Sequence, residues 1–173
     1  NFIDADYDTI KNLLDRGGLL VVPSGPGLAT IGSNTAHYYY KALKNADIAI
    51  FDSGYFCLLL RILKNIRVER FSGLIFIKKF ILDLKKDYKN SIFLINPSLK
   101  ESRVNNKYLK SKNIKRIHHY VAPMYNKKKI IDLKFLNRIN KFKPKYIMIN
   151  LGGGVQEILG YYLKSNLNYK NSI

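Results

Sequence analysis

Ile48-Ala49-Ile50-Phe51-Asp52-Ser53-Gly54 is a short apolar run that ends in an acid, a hydroxyl and a glycine, and the helical pattern of Tyr55 to Leu63 follows at once. An apolar strand feeding directly into a helix is the repeating unit of α/β proteins with a largely parallel sheet. The unit recurs on both sides. Strands are predicted at about Leu19 to Pro23, Asp47 to Phe51, Ser91 to Ile95, Arg116 to Val121 and Tyr146 to Leu151. Helices are predicted at about Tyr7 to Arg16, Thr35 to Asn45, Tyr55 to Leu63, Ile75 to Lys86, Leu99 to Lys112, Lys128 to Lys141 and Val155 to Lys164. Gly17 and Gly18 supply the usual stop for the first helix.

The fold class this implies is α/β, a Rossmann-like, largely parallel sheet flanked by helices. The 173 residues suit one domain, and a 47% hydrophobic content can fill its core. A disordered or collagen-like chain is excluded. The single cysteine, Cys57, lies in the apolar run Phe56 to Leu60, so an intramolecular disulfide is impossible, and a buried, inert thiol in a reducing compartment is expected. The most apolar segment, Leu74 to Leu84, is broken by Lys78 and Lys79, so membrane contact would be peripheral. Lys and Arg number 30 against 12 acidic residues, a formal charge of +18 that attracts polyanions or an anionic membrane surface. The charge alone does not choose among nucleic acid, lipid headgroups and a nucleotide diphosphate, and lysines spread through every region also fit a generally solvated surface.

In an open parallel sheet, ligands bind outside the carboxyl ends of the strands. Three junctions there carry chemistry. Pro23-Ser24-Gly25-Pro26-Gly27 offers the Ser24 hydroxyl and glycines that let backbone N–H groups approach a ligand, although a tight turn needs the same residues. Asp52 could cap the helix that follows it, or act as a general base on an acceptor hydroxyl. Asn150-Leu151-Gly152-Gly153-Gly154-Val155-Gln156-Glu157 runs a strand through three glycines into a helix N-terminus, a place that favours anions. It matches neither the P-loop nor the G-x-G-x-x-G pattern. Gln156 and Glu157 could reach ribose or base, or cap the first turn.

Taken in order, these segments resemble the WecG/TagA/CpsF family, glycosyltransferase family 26. The likeness rests on Ser24-Gly25-Pro26, on Ala46-Asp47 through Asp52-Ser53-Gly54, on Arg70-Phe71-Ser72-Gly73 and on Gly152-Gly153-Gly154-Val155-Gln156-Glu157, and it covers essentially the whole chain. The resemblance implies inverting transfer of an N-acetylhexosamine, often N-acetylmannosamine, from a UDP-sugar to a polyprenyl-diphosphate-linked glycan, with no metal or other cofactor. It implies Asp52 as the base and Ser24 in the place of an active-site threonine. Gly25, Ser53, Gly54, Arg70, Gly73, Gly152, Gly153, Gly154, Gln156 and Glu157 would border the nucleotide-sugar, with Arg70 open to a diphosphate or a structural role. The location implied is the cytoplasmic face of the cell membrane, with an anionic lipid surface as partner, no nucleic acid, and self-association left open. Gly25 departs from the family's asparagine, Ser53 from its glycine and Gly154 from its proline. The family also continues past the position of Ile173 into another strand and a basic tail, so residues 1–173 are expected to form a glycosyltransferase domain lacking that portion.

Two other classes compete. A basic nucleic-acid-binding module is suggested by the +18 charge and 13 tyrosines, though no named motif accompanies them. A non-catalytic relative would keep the fold without the full site. His118-His119 invites a metal reading, but neighbours on a strand point to opposite faces, and no ligand set accompanies them. His37 fits packing or surface, and Val121 to Tyr125 fits either an ordinary loop or the wall of a sugar site.

Overall fold

A computed structural model describes residues 2–33, 36–86, 91–126 and 130–173. In chain order the elements are β1 (Phe2–Ile3), α1 (Tyr7–Asp15), β2 (Leu20–Val21), α2 (Gly25–Ala29), α3 (His37–Lys44), β3 (Ile48–Ile50), α4 (Gly54–Lys64), α5 (Gly73–Lys86), β4 (Ile92–Asn96), α6 (Leu99–Ser111), β5 (Ile117–Val121), α7 (Leu133–Phe142), β6 (Tyr146–Ile149) and α8 (Val155–Asn166). The predicted strands and helices are all present. The predicted helix starts at Thr35 and Lys128 lie outside the described residues. The last begins in the structure at Leu133, because Asp132 caps it by accepting from the Phe135 N–H at 2.9 Å.

The strands form two three-stranded sheets, in the orders β1-β3-β2 and β5-β4-β6, and every pairing is parallel. The last residues of the chain join them. Ser172 pairs in parallel with both Gly18 and Tyr146. Toward the first sheet, Gly18 N–H donates to the Asn171 carbonyl at 2.7 Å, Leu20 N–H to Ile173 at 2.8 Å, and Ile173 N–H to Gly18 at 2.8 Å. Toward the second, Ile147 N–H donates to the Ser172 carbonyl at 2.8 Å and Ser172 N–H to Lys145 at 3.0 Å. One parallel surface results, β1-β3-β2, then Ser172, then β6-β4-β5. The terminal residues were not among the predicted strands, since three residues cannot show a period of two.

Side-chain alternation divides the interior into two layers. Ala49 of β3 and Phe93 and Ile95 of β4 face a core completed by α3, α7 and α8 through residues such as Tyr39, Phe135, Ile139 and Leu159. Ile48 and Ile50 of β3 and Ile92 and Leu94 of β4 face the opposite core, completed by α1, α5 and α6 through Ile10, Phe76, Phe80 and Leu109. Strands apolar on both faces are what a sheet covered on both sides requires. Helix α4 contributes no buried residue to either layer.

The stop at Gly17 and Gly18 holds, with φ of 89° and 131°, beyond the Arg16 C-cap. His118 and His119 both lie in β5. The His118 ring lies tilted against Phe142, with centroids 4.1 Å apart, and neither ring nitrogen of His119 has a hydrogen-bond partner among the described residues. Burial lowers both imidazole pKa values, with Arg116 and Arg138 adding to the shift at His118, and His118, Lys110 and Arg138 at His119. No group of three or more His, Cys, Asp or Glu side chains suited to a metal occurs among the described residues.

Two tests follow from these contacts. Ser172→Pro removes the N–H that bonds Lys145 and the hydroxyl that donates to the Leu14 carbonyl at 2.6 Å, so it should cost ~3 kcal/mol or more in denaturant unfolding, whereas Ser172→Ala should cost about 1 kcal/mol. Because the folded histidines bind protons less readily than unfolded ones, their contribution to stability is fully present above the ordinary imidazole pKa and is lost as pH falls through the lowered folded values. Denaturation midpoints should therefore drop on acidification below about pH 6.5, and His119→Phe should flatten that drop. An unchanged pH profile in His119→Phe would refute the assignment.

Candidate functional site

All strands run parallel, so the junctions after β2, β3 and β6 emerge along one edge. After β2, Ser24 has extended backbone and caps α2, its Oγ accepting from Gly27 N–H at 3.3 Å. Pro26 sits in the first turn, where its missing N–H costs nothing. The segment expected to be a loop or tight turn from Pro23 to Gly27 is thus helical from Gly25 onward.

After β3, the helix cap that was one alternative for the acid falls to its neighbour. Ser53 caps α4, its Oγ accepting from Phe56 N–H at 3.2 Å. Asp52 instead receives the N–H of Gly73, the first residue of α5, on Oδ1 at 2.9 Å. The expected cap on the following helix is therefore corrected: Ser53, one residue nearer, has the reach for that turn. No hydrogen bond to Asp52 Oδ2 occurs among the described residues. Arg70 donates through Nε to the Asp52 carbonyl at 2.7 Å, and its remaining guanidinium N–H groups make no hydrogen bond among the described residues.

Close approach explains two glycines. A Cβ on Gly25 would stand 2.9 Å from Ser53 Oγ, and one on Gly73 would stand 2.6 Å from Val22 Cγ1. The first contact brings the Ser24 and Asp52 junctions together. The second seats the start of α5 on the end of β2.

After β6, Gly154 takes φ 88°, and Glu157 folds back so that Oε2 accepts the Gly154 N–H at 2.7 Å. A proline, with φ fixed near −65°, cannot adopt that backbone, so the motif's proline position is built differently in this chain. Glu157 is 3% exposed, and Gln156 donates to its Oε1 at 3.2 Å. The capping reading of Glu157 is the one its contacts support. Its charge acts on Tyr39, whose hydroxyl is pushed up to about 12, mainly by burial and then by Glu157.

Two cavities meet at Asp52. The outer one, about 580 Å³, is bordered by Ser24, Gly25, Ser53, Gly54, Tyr55 and Arg70 along with Asp52. The inner one, about 350 Å³, runs between α5 and the sheet, and Asp52, Gly73, Asn150, Gln156 and Glu157 border it among mostly apolar residues. A Cβ on Gly153 would lie 3.8 Å from Ser24 Oγ, so that glycine stands beside the outer cavity. None of Gly152, Gly153 and Gly154 borders either cavity directly.

Sequence reasoning missed Tyr55 and the asparagines behind the site. Asn150 and Asn105 both donate to Asn96 Oδ1, at 3.1 and 2.7 Å, and Asn96 is fully buried at the end of β4. A polar residue ending the run Ile92 to Ile95 was the available signal. Cys57 is half-buried rather than buried, and burial pushes its thiol up. His37 is exposed, its ring edge-on to Tyr38. Tyr120 and Tyr125 both donate to Asp132 Oδ2, at 2.7 and 2.8 Å, so the segment around Pro123 is braced on α7 and does not border either cavity.

An open parallel α/β domain with its polar side chains gathered at the carboxyl ends of β2, β3 and β6 belongs to the ligand-binding α/β class. Residues 4–173 match the glycosyl transferase WecG/TagA/CpsF family. The chain belongs to that family and is a glycosyltransferase of its type. No curated protein matches it.

Glu157 and Gln156 separate by experiment. Glu157→Ala should lower unfolding stability by about 1–3 kcal/mol, because it strips the Gly154 N–H of its acceptor. Gln156→Ala should stay within about 0.5 kcal/mol of the parent. Equal losses in denaturant titration would contradict the capping role.

Proposed function

We propose that the chain transfers an N-acetylhexosamine or a related hexose from a UDP-sugar to a hydroxyl of a polyprenyl-diphosphate-linked or other glycan acceptor, with inversion and without a metal, in bacterial cell-surface polysaccharide synthesis. The observation that carries this reading is the division of labour within Asp52, which has one oxygen held by the Gly73 N–H while the other has no partner among the described residues, at the junction of two cavities. A tethered carboxylate with an available oxygen is positioned for general-base work.

In the proposed reaction the acceptor hydroxyl gives its proton to Asp52 Oδ2 as its oxygen forms a bond to the anomeric carbon. The bond from that carbon to the diphosphate breaks on the opposite face, and UDP leaves with the electron pair. The outer cavity suits the diphosphate. Arg70 borders it, and the first-turn N–H groups of Gly54 and Tyr55 lack intrahelical acceptors, at the positive end of α4. Ser24 Oγ accepts from Gly27 and keeps its own proton to donate to a donor-sugar or phosphate oxygen. Glu157 shapes the nucleotide side through the Gly154 turn, and Gln156 borders the inner cavity.

No helix among the described residues is long and apolar enough to cross a membrane, which fits a peripheral approach from the cytoplasmic side to a lipid-linked acceptor.

Asp52→Asn should reduce transfer by roughly 10²–10⁴-fold. Stabilisation by the UDP-sugar should stay nearly intact, because asparagine Oδ1 can still accept from Gly73. A thermal-denaturation panel of UDP-sugars identifies the donor for that assay, since ligand at 100 times its Kd stabilises by about 2.7 kcal/mol. Full turnover by Asp52→Asn would remove it from the base role. Tight, salt-sensitive oligonucleotide binding that UDP does not displace would favour the basic nucleic-acid reading instead.

A further inference from the structure

Helix α4 builds the outer cavity with its first turn and then leaves an outer face uncovered. Tyr55, Leu58 and Ile62 succeed one another at the three- and four-residue spacing of one helical face. Tyr55, Ile62 and Leu63 are 69%, 67% and 69% exposed. The inner side of the helix is held by Phe56, whose ring lies 5.6 Å from Phe2 and 6.3 Å from Phe51. Beyond the helix, Asn65 takes a left-handed turn that closes it, and Ile66 continues the exposed apolar surface.

The charges that α4 and its continuation to Arg67 themselves carry have one sign, with the acids Asp4 and Glu69 bonded to each other beyond it, Glu69 N–H donating to Asp4 at 3.2 Å. Arg61, Lys64 and Arg67 are all exposed, and the sequence contains no acid between Asp52 and Glu69. Apolar side chains interleaved with cations are the composition of a segment that lies in the headgroup layer of an anionic bilayer. A second copy of the chain fits this face poorly. Pairing two such helices would set Arg61, Lys64 and Arg67 of one copy against the same residues of another, on chains that each carry +18.

We infer that α4 and its continuation to Arg67 are the docking surface for an anionic lipid bilayer, with Leu58, Ile62 and Leu63 entering the acyl boundary and Arg61, Lys64 and Arg67 meeting lipid phosphates. The purpose of this docking rests on the proposed lipid-linked acceptor: it would lay the Ser53 end of the helix, and Asp52 with it, beside the headgroup layer where a polyprenyl diphosphate lies. The binding itself is independent of that reading.

The test is co-sedimentation of the chain with vesicles of mixed phosphatidylglycerol and phosphatidylcholine, and of phosphatidylcholine alone, without donor or acceptor. Binding should require the anionic lipid and weaken at high salt. Ile62→Ser with Leu63→Ser should lower it by at least roughly tenfold. Arg61→Gln, Lys64→Gln and Arg67→Gln should each lower it by about fivefold. Thermal denaturation with UDP-sugar verifies that each variant stays folded and still binds donor. Lys100→Gln, Lys107→Gln and Lys110→Gln, on the exposed face of α6, serve as the comparison and should change binding much less. Equal losses from the α4 and α6 lysine and arginine sets would overturn the assignment, as would absence of binding to anionic vesicles. Self-association abolished by the Ile62 and Leu63 substitutions would assign the face to a second copy instead. Asp52→Asn should bind vesicles undiminished, so a failed base role and a failed docking surface give different results.

Discussion

The backbone of Ser172 holds the two sheets together. Its N–H and carbonyl bond Lys145, just before β6, and Ile147 within it, while its neighbours Asn171 and Ile173 bond Gly18, just before β2, and Leu20. Every buried peptide group in that seam needs a partner, and without these residues the facing edges of β2 and β6 would each expose unpaired groups to the interior. The contact is also long-range, joining residue 18 to residue 172. Correct placement of the last residues is thus coupled to the docking of the two halves, and Ile173 completes one core layer on the same strand.

The site inherits its geometry from that seam. Asp52 and Ser24 ride on the first sheet, and Asn150, Gly153 and Gln156 on the second. Their spacing across the cavities is set by the width of one bridging strand rather than by loop flexibility. Local contacts then lock the details. Ser53, Asp52 and Glu157 each accept the N–H of a helix start, so the same bonds that terminate α4, α5 and α8 also fix the side chains that border the cavities. Groups positioned by helix caps need little further ordering when ligand arrives, which is the form preorganisation takes in this fold.

The parts of this arrangement that were legible in the sequence are those carried by local pattern. Ile48 to Phe51 and Ile92 to Ile95 are apolar runs of strand length, and the helices between them have the period of three to four residues, so the parallel α/β class followed from periodicity. Asp52, Ser24, Gln156 and Glu157 were visible because polar residues and glycines cluster where those runs end. The parts not legible depend on long-range partners. Phe2–Ile3 and Asn171–Ile173 are too short to carry a period, and they become strand only because β3, β2 and β6 offer edges. The partner of Asp52 is Gly73, twenty-one residues away, and no local rule would choose it over the adjacent helix that Ser53 caps. Gly25 looks like a turn residue in sequence and Gly73 like a motif glycine, yet space explains both, since Ser53 and Val22 occupy the volume a side chain would need.

The placement of α4 follows from the same economy of contacts. Its first turn is fixed by Ser53, by the Arg70 bond to the Asp52 carbonyl and by Phe56 against Phe2 and Phe51, all within the sheet edge that carries Asp52. Past that turn the helix has no second layer to pack on, which is why a segment as apolar as Phe56 to Leu60 ends with no fully buried residue. A helix anchored at one end and bare along its outer face exposes apolar area that water disfavours, with the cations Arg61 and Lys64 spaced along it. Ile62 and Leu63 are the exposed apolar part of the face proposed to meet an anionic bilayer. The helix start that bears the Asp52 junction lies at one end of that same face.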